Sequence, residues 1–360
     1  MTLPEGVLAV MWIGVTLYAV FGGADFGAGF WDLFAGGPRT GAAPRRLIEH
    51  SIGPVWEADH VWMIFVLVVM WTGFPVAFAA IMSSLYVPLT AAAIGVILRG
   101  AGFAFRKSVH GVQVRRLFGA TFAVSSVITP FFFGTVAGAV ASGRVPAEPV
   151  DIDPFATWVQ PTSILGGTLA VVTCAYLAAA FLAADAARHG DLVLAVRYRR
   201  LGFAAALAAG AIALGGIFVL RADSPELYDG LTGRGLPLVV ISATGGVASL
   251  GLLARARYRA ARIAVVVAVT AIVWGWAAGQ YPDLLVGQLT IAEAAGSRTT
   301  LVAMLVSLGV GSLLFGPALV ALLVMHARGQ LDESADRRPR PAGSPSGGSL
   351  QGQPQEDEGH

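Results

Sequence analysis

The sequence predicts an all-α, polytopic membrane bundle of about nine transmembrane helices, with the N-terminus outside and the C-terminus cytoplasmic. Three observations predict it. Hydrophobic residues make up 56% of the 360, and charged residues only 13%, against about 25% in a soluble domain. Mean hydropathy is +0.70. Several runs of about 20 residues carry no charge, enough to cross a hydrocarbon core about 30 Å thick as helix. The runs are continuous rather than alternating, which argues against a strand barrel. Length alone would allow two soluble domains; the composition excludes them.

In lipid, every backbone polar group must be satisfied within its own segment, so each run is read as helix. The expected spans are 6–32, 54–79, 82–104, 116–141, 160–186, 199–221, 236–254, 262–280 and 299–327. The first has no basic region before it and is too long for a signal peptide, so it is read as a retained span. The connecting loops sort by charge. Nineteen of the 24 basic residues fall on one side: Arg39, Arg45 and Arg46, the groups around Arg106, Arg197 and Arg257, and the tail. Arg144, Arg221, Arg234 and Arg298 fall on the other, beside acids such as Asp151, Asp223 and Glu226. The positive-inside rule places the richer side in the cytoplasm. That arrangement needs an odd number of spans. Residues 1–328 form the membrane domain. Residues 329–360 are Gly, Ser, Pro and Gln-rich and read as a disordered cytoplasmic tail, either a tether or plain solvated chain.

Other chemistries are thinly supplied. One cysteine, Cys174, excludes an internal disulfide and a cysteine-ligated zinc or iron–sulfur site. The net charge of +2 offers no argument for a nucleic-acid partner, and none is expected. Haem ligation in a bundle usually needs inward His or Met from several spans. Of His50, His60, His110, His189, His326 and His360, only His60 lies well within a span. No haem and no metal site is assigned to this chain.

Charged groups at mid-membrane cost roughly 2.5–3.5 kcal/mol each, and they gather in the first three spans. Asp25 shares a face with Gly22 and Gly29, and small residues there let another helix approach. Asp25 then points at a neighbour, either as a proton carrier or as a carboxyl bonded to a facing carbonyl. The second span opens Ser51-Ile52-Gly53-Pro54-Val55-Trp56-Glu57-Ala58-Asp59-His60-Val61-Trp62. Pro54 suits a first helical turn, and Glu57 and Asp59 suit its dipole. His60 lies three residues beyond Glu57, where the two can exchange a proton. Trp62 reads either as an interface anchor or as part of that group. Arg99, near the end of the third span, is placed to snorkel. The topology sets Asp25, Glu57, Asp59, His60 and Arg99 at one level in the cytoplasmic half. Such a cluster would form a proton entry path, with Arg99 holding one acid ionised while another cycles.

The runs 23–29, 51–62 and Arg99-Gly-Ala-Gly-Phe-Ala-Phe-Arg106 together resemble subunit II of cytochrome bd-type quinol oxidases. Tyr281-Pro282-Asp283-Leu284-Leu285, Leu289-Thr290-Ile291, Glu293-Ala294-Ala295 and Thr300-Leu301 look like that family's last external loop. The resemblance spans residues 1 to about 328. It implies a non-haem subunit in the plasma membrane, paired with a haem-bearing subunit I of similar fold. That partner carries haems b and d and the quinol-oxidation loop, and catalysis needs it. The complex oxidises membrane quinol and reduces O2. Subunit II supports the complex, cytoplasmic proton delivery and a lipid-facing O2 route. By position, Glu57 and Asp25 match the family's proton-path acids, His60 and Arg99 stand as their support, and Trp62 matches the tryptophan at the mouth of the O2 route. Two departures stand out. Asp59 replaces the family's usual Asn, and the tail is longer than expected. A proton-coupled secondary transporter is the competing reading. Transporters often show repeat symmetry and paired broken helices at mid-membrane, and neither is evident here.

Overall fold

The computed structural model describes residues 2–37, 39–52, 56–108, 112–148 and 153–327. Pro54 and the tail 329–360 lie outside them. The first span is α1 (Leu3–Leu17), a π-helical turn (Tyr18–Gly22) and α2 (Gly23–Leu33) in one continuous run. Then come α3 (Ala42–Ile52), α4 (Trp56–Gly73), α5 (Pro75–Ser84), α6 (Tyr86–Ser108) and α7 (Val112–Ala141). The second half holds α8 (Pro161–Arg188), α9 (Leu192–Asp223), α10 (Pro225–Thr232), α11 (Leu236–Ala254) and α12 (Tyr258–Gln280). A short hairpin of β1 (Asp283–Leu285) and β2 (Leu289–Thr290) leads through α13 (Ile291–Ala294) to α14 (Arg298–Ala327). Proline opens α1, α5, α8, α10 and α11 within the first two positions, where its missing N–H costs nothing.

Among the described residues, seven helices are long and apolar enough to cross a membrane. The pair Asp59–Gly73 and Pro75–Ser84 makes an eighth if counted as one span, but it is bent by 118°. This corrects the straight helix expected over 54–79. Pro75 cannot donate a backbone hydrogen bond, and its ring pushes the preceding residue out of helical geometry. Phe74 accordingly sits at φ −135°, ψ 61°. An unbroken apolar run conceals this, because hydropathy does not register a missing N–H.

The interior is organised on α8. From Ala175 to Ala186 nearly every side chain is buried, and most are alanine. Small side chains let α2, α7 and α9 all pack against it. Leu47 and Ile48 of α3 join the same core as Ala183 and Ala186. At the far end of α8 an ion pair ties three elements together. Arg144 Nη2 lies 2.6 Å from Asp223 Oδ1, and Nη1 donates to Oδ2 at 3.0 Å. Thr162, in the first turn of α8, donates to that Oδ2 from its backbone N–H (3.0 Å) and its hydroxyl (2.6 Å). The hairpin is antiparallel, with Asp283 opposite Thr290. Thr290 and Glu293 then form a reciprocal capping box on α13. Packing divides the chain into Met1–Met304 and Leu305–His360, and the candidate site residues all lie in the first unit.

Candidate functional site

Asp25 stands in the first turn of α2 and is 3% exposed. A carboxylate so placed needs a partner, because a lone buried charge is costly. Arg99 of α6, 2% exposed, supplies it. Its Nη2 lies 2.6 Å from Asp25 Oδ1, and its Nε donates to Oδ2 at 3.2 Å. The same Nη2 donates to the Asp25 carbonyl oxygen at 2.9 Å. Nη1 donates to Ser126 Oγ of α7. The guanidinium also faces two rings, with its carbon 4.9 Å from the centre of Phe26 and 4.5 Å from that of Phe122. The planar fork of arginine suits this enclosure, since it faces both carboxylate oxygens while reaching the backbone carbonyl and Ser126 as well.

Two glycines make room for the pair. A Cβ on Gly29 would overlap Ser126 Oγ and come within 2.7 Å of Arg99 Nη1. A Cβ on Gly27 would overlap the backbone carbonyl of Cys174 on α8. Trp31 adds a bond from its Nε1 to the Ala175 carbonyl at 2.8 Å. So α2 is pressed onto α7 and α8 by small residues, as expected for Gly29. Gly22 is different. It closes the π turn, and its neighbour is the ring of Tyr18 rather than another helix.

The helix-end position expected for Arg99 is corrected. α6 continues to Ser108, so Arg99 is an interior residue and does not snorkel. Asp59 is 3% exposed, not a solvated acid at a helix end. Its Oδ2 is buried without a hydrogen-bond partner among the described residues. The helix that carries Asp59, α4, packs against α1 and the π turn. His60 is half-buried, its ring edge-to-face with Tyr18 (6.4 Å) and Phe26 (6.3 Å). Glu57 falls in the first turn of α4, and its side chain lies outside the described residues. Trp62 is half-buried one turn along α4 from Ala58, and its ring meets Phe65 at 6.3 Å. Among the described residues no hydrogen bond, ion pair or ring contact joins Trp62 to the Asp25–Arg99 pair.

Asp25 and Arg99 thus meet directly, and Phe26, which faces Arg99, also meets the ring of His60. The sequence reading had grouped Asp25, Arg99 and His60 with Asp59 and with Glu57, whose side chain lies outside the described residues. It missed Ser126, Tyr18, Phe26 and Phe122. Tyr18 has a buried hydroxyl without a hydrogen-bond partner among the described residues. The available signal for Ser126 is the polar series Ser125, Ser126, Thr129 inside an apolar span. It also missed Asp32, seven residues after Asp25 and so on the same helical stripe. Asp32 is buried, and its Oδ1 accepts from Arg45 Nε at 2.9 Å. Among the described residues no group of three or more His, Cys, Asp and Glu side chains is placed to hold a metal ion.

Comparison with known proteins bears on this arrangement. The family model described as cytochrome bd terminal oxidase subunit II matches residues 3–326. Cytochrome bd ubiquinol oxidase subunit 2 of Bacillus subtilis (strain 168) is 27% identical over 173 residues, covering 47% of this chain and 48% of that protein. Cytochrome bd-I ubiquinol oxidase subunit 2 of Escherichia coli (strain K12) is 26% identical over 179 residues, 46% and 45% of the two chains. The chain thus spans about half the length of the curated relatives it matches. A chain in the structure of bd oxidase from Geobacillus thermodenitrificans superposes with a TM-score of 0.73 at 28% identity. That match covers 91% of this chain and 99% of the other.

Proposed function

The chain belongs to the cytochrome bd terminal oxidase subunit II family, and on that premise we propose that it is the non-haem subunit of a plasma-membrane quinol:O2 oxidoreductase. It is a multi-pass membrane protein and a component of an oxidoreductase complex. In the proposed complex it supports a haem-bearing subunit I, whose haems b and d carry the redox chemistry. Membrane quinol is the electron donor and O2 the acceptor. Reducing O2 to water consumes protons as well as electrons, and the proposed task of this chain is to bring protons from the cytoplasm.

The observation that carries the reading is the buried Asp25–Arg99 pair, with a further buried carboxyl, Asp59, on α4. Arg99 neutralises Asp25 and fixes its orientation. In the proposed path Glu57, Asp59 and His60, all residues of α4, pass the proton on, while Arg99 stays paired with Asp25. Trp62, farther along the same helix, borders the proposed O2 route. A transporter is not favoured by any contact described here.

Purification of the full chain in mild detergent tests the assignment. The expected result is a second polytopic chain with a haem absorption spectrum; a colourless, solitary, monodisperse protein overturns it. Within the complex, Glu57→Gln slows O2 reduction more than Glu57→Asp, because Gln cannot carry a proton. Equal turnover of wild type and the Gln variant removes Glu57 from the path.

A further inference from the structure

We propose that His50 and His189 form a two-imidazole site for a divalent transition-metal ion of the zinc class, joining the end of α3 to the end of α8. The sequence places both at helix ends with nothing to connect them. The fold brings their rings to a centroid separation of 5.0 Å, nearly perpendicular at 88°. Both side chains are exposed to solvent, so an ion can reach them.

The hydrogen-bond pattern leaves a ligand atom free. His189 Nδ1 lies 2.8 Å from the backbone carbonyl oxygen of Asp185. A carbonyl oxygen cannot donate, so the hydrogen sits on Nδ1, and the lone pair of the neutral ring sits on Nε2. A backbone carbonyl holding the far nitrogen is the usual way a metal-ligating histidine is oriented.

The ring spacing also fits. Zn–N bonds are about 2.0–2.1 Å, and structural sites are tetrahedral. The centre of each imidazole lies a little over an ångström beyond its bound nitrogen. Two rings on one tetrahedral ion then have centres about 5 Å apart, which is the spacing observed. The nearly perpendicular planes are no obstacle, because each ring turns freely about its metal–nitrogen bond.

The rings meet edge-to-face, and the helix ends that carry them are fixed by the core. Leu47 and Ile48, just before His50, are buried with Ala183 and Ala186, just before His189. The neighbouring charges define what completes the site. The Asp185 carboxylate is engaged by Arg188 at 2.8 Å and Arg262 at 3.6 Å, so it is not a free ligand. Glu49 has a partner of its own. Water therefore fills the remaining positions. Imidazole with water suits Zn2+, Cu2+ or Ni2+, and gives Mg2+ and Ca2+ little to bind. The charge of Arg188 opposes any cation, but its pairing with Asp185 offsets this.

The test uses the full-length protein together with whatever subunit co-purifies, and Zn2+ as the probe. Chelator competition should find one site that loses about tenfold or more of its affinity in either His50→Gln or His189→Gln. Zn2+ should raise the thermal midpoint of the wild type and of neither variant, and Mg2+ should raise none. Should a variant fail to fold, carbethoxylation of the wild type decides: Zn2+ should protect His50 and His189 together. Zn2+ affinity that survives either substitution, or rings modified equally with and without Zn2+, overturns the proposal.

Discussion

Two arginine–aspartate pairs in this molecule have nearly the same geometry and opposite surroundings. Arg99–Asp25 and Arg144–Asp223 each close to 2.6 Å. The first has side chains 3% and 2% exposed, the second 30% and 14%. At the edge the side chains reach the surface, Thr162 adds two hydrogen bonds, and the pair fastens the first turn of α8 to the end of α9. In the interior the side chains are almost shut off from solvent, and Arg99 is wrapped by Ser126, two aromatic faces and a backbone carbonyl. Burying two charges costs several kcal/mol per ion before their attraction is counted. An interior pair is therefore weak grounds for stability and better grounds for a role, whereas the edge pair needs only a structural account.

The comparison breaks most sharply at Arg99. Arg99→Leu leaves the Asp25 carboxylate buried and alone, at a cost of about 3–5 kcal/mol. Thermal unfolding in detergent should show a large drop in midpoint, with Arg99→Lys restoring only part because an ammonium cannot match the fork. A midpoint equal to wild type would place the two pairs in one class. Next comes the packing that encloses the interior pair. Gly27→Ala drives a methyl group into the Cys174 carbonyl, an overpacking expected to cost about 1–3 kcal/mol and to be read in the same melts. At the edge, Asp223→Asn should cost only about 0.5–1 kcal/mol after allowance for solvent screening, and the difference from wild type should shrink at high salt.

The smallest effect belongs to a fully exposed carboxylate. The Thr290 hydroxyl and backbone N–H hold Glu293 below its ordinary value of 4.5. A lowered folded value means that its contribution is complete above the ordinary value and lost as pH falls through the folded one. Hydrogen exchange in 289–294 should therefore quicken at acid pH in the wild type. Glu293→Gln should show no such acid step.

Much of the bundle was legible because lipid imposes a crude rule on composition, and α7, α8, α9, α11 and α12 follow it closely. The meeting of Asp25 and Arg99 was legible for a related reason. Charge sorting orients each span, and orientation sets the level of every polar residue along it. What stayed hidden depended on backbone hydrogen bonding and azimuth. Pro75 was visible, but the apolar residues around it concealed the 118° break. Ser126 lacks a charge and so did not register as expensive. The sequence treated Arg99 as a helix-end residue because no stop signal located the true end of α6. Asp32 went unremarked although it lies two turns below Asp25, since only its contact with Arg45 distinguishes it from an ordinary terminal acid.

The wide turn at Tyr18–Gly22 makes the first span a composite with an adjustable phase. The π turn takes up one surplus residue, and an ordinary helix advances about 100° per residue, so winding Tyr18–Gly22 as plain α-helix with no residue removed would swing everything after it by roughly that angle relative to α1. Asp25 and Asp32 would rotate off their arginines together, while the hydropathy plot scarcely changed. One surplus residue thus acts as a vernier between two halves of a rod, setting the lower half so that its acids stay aimed.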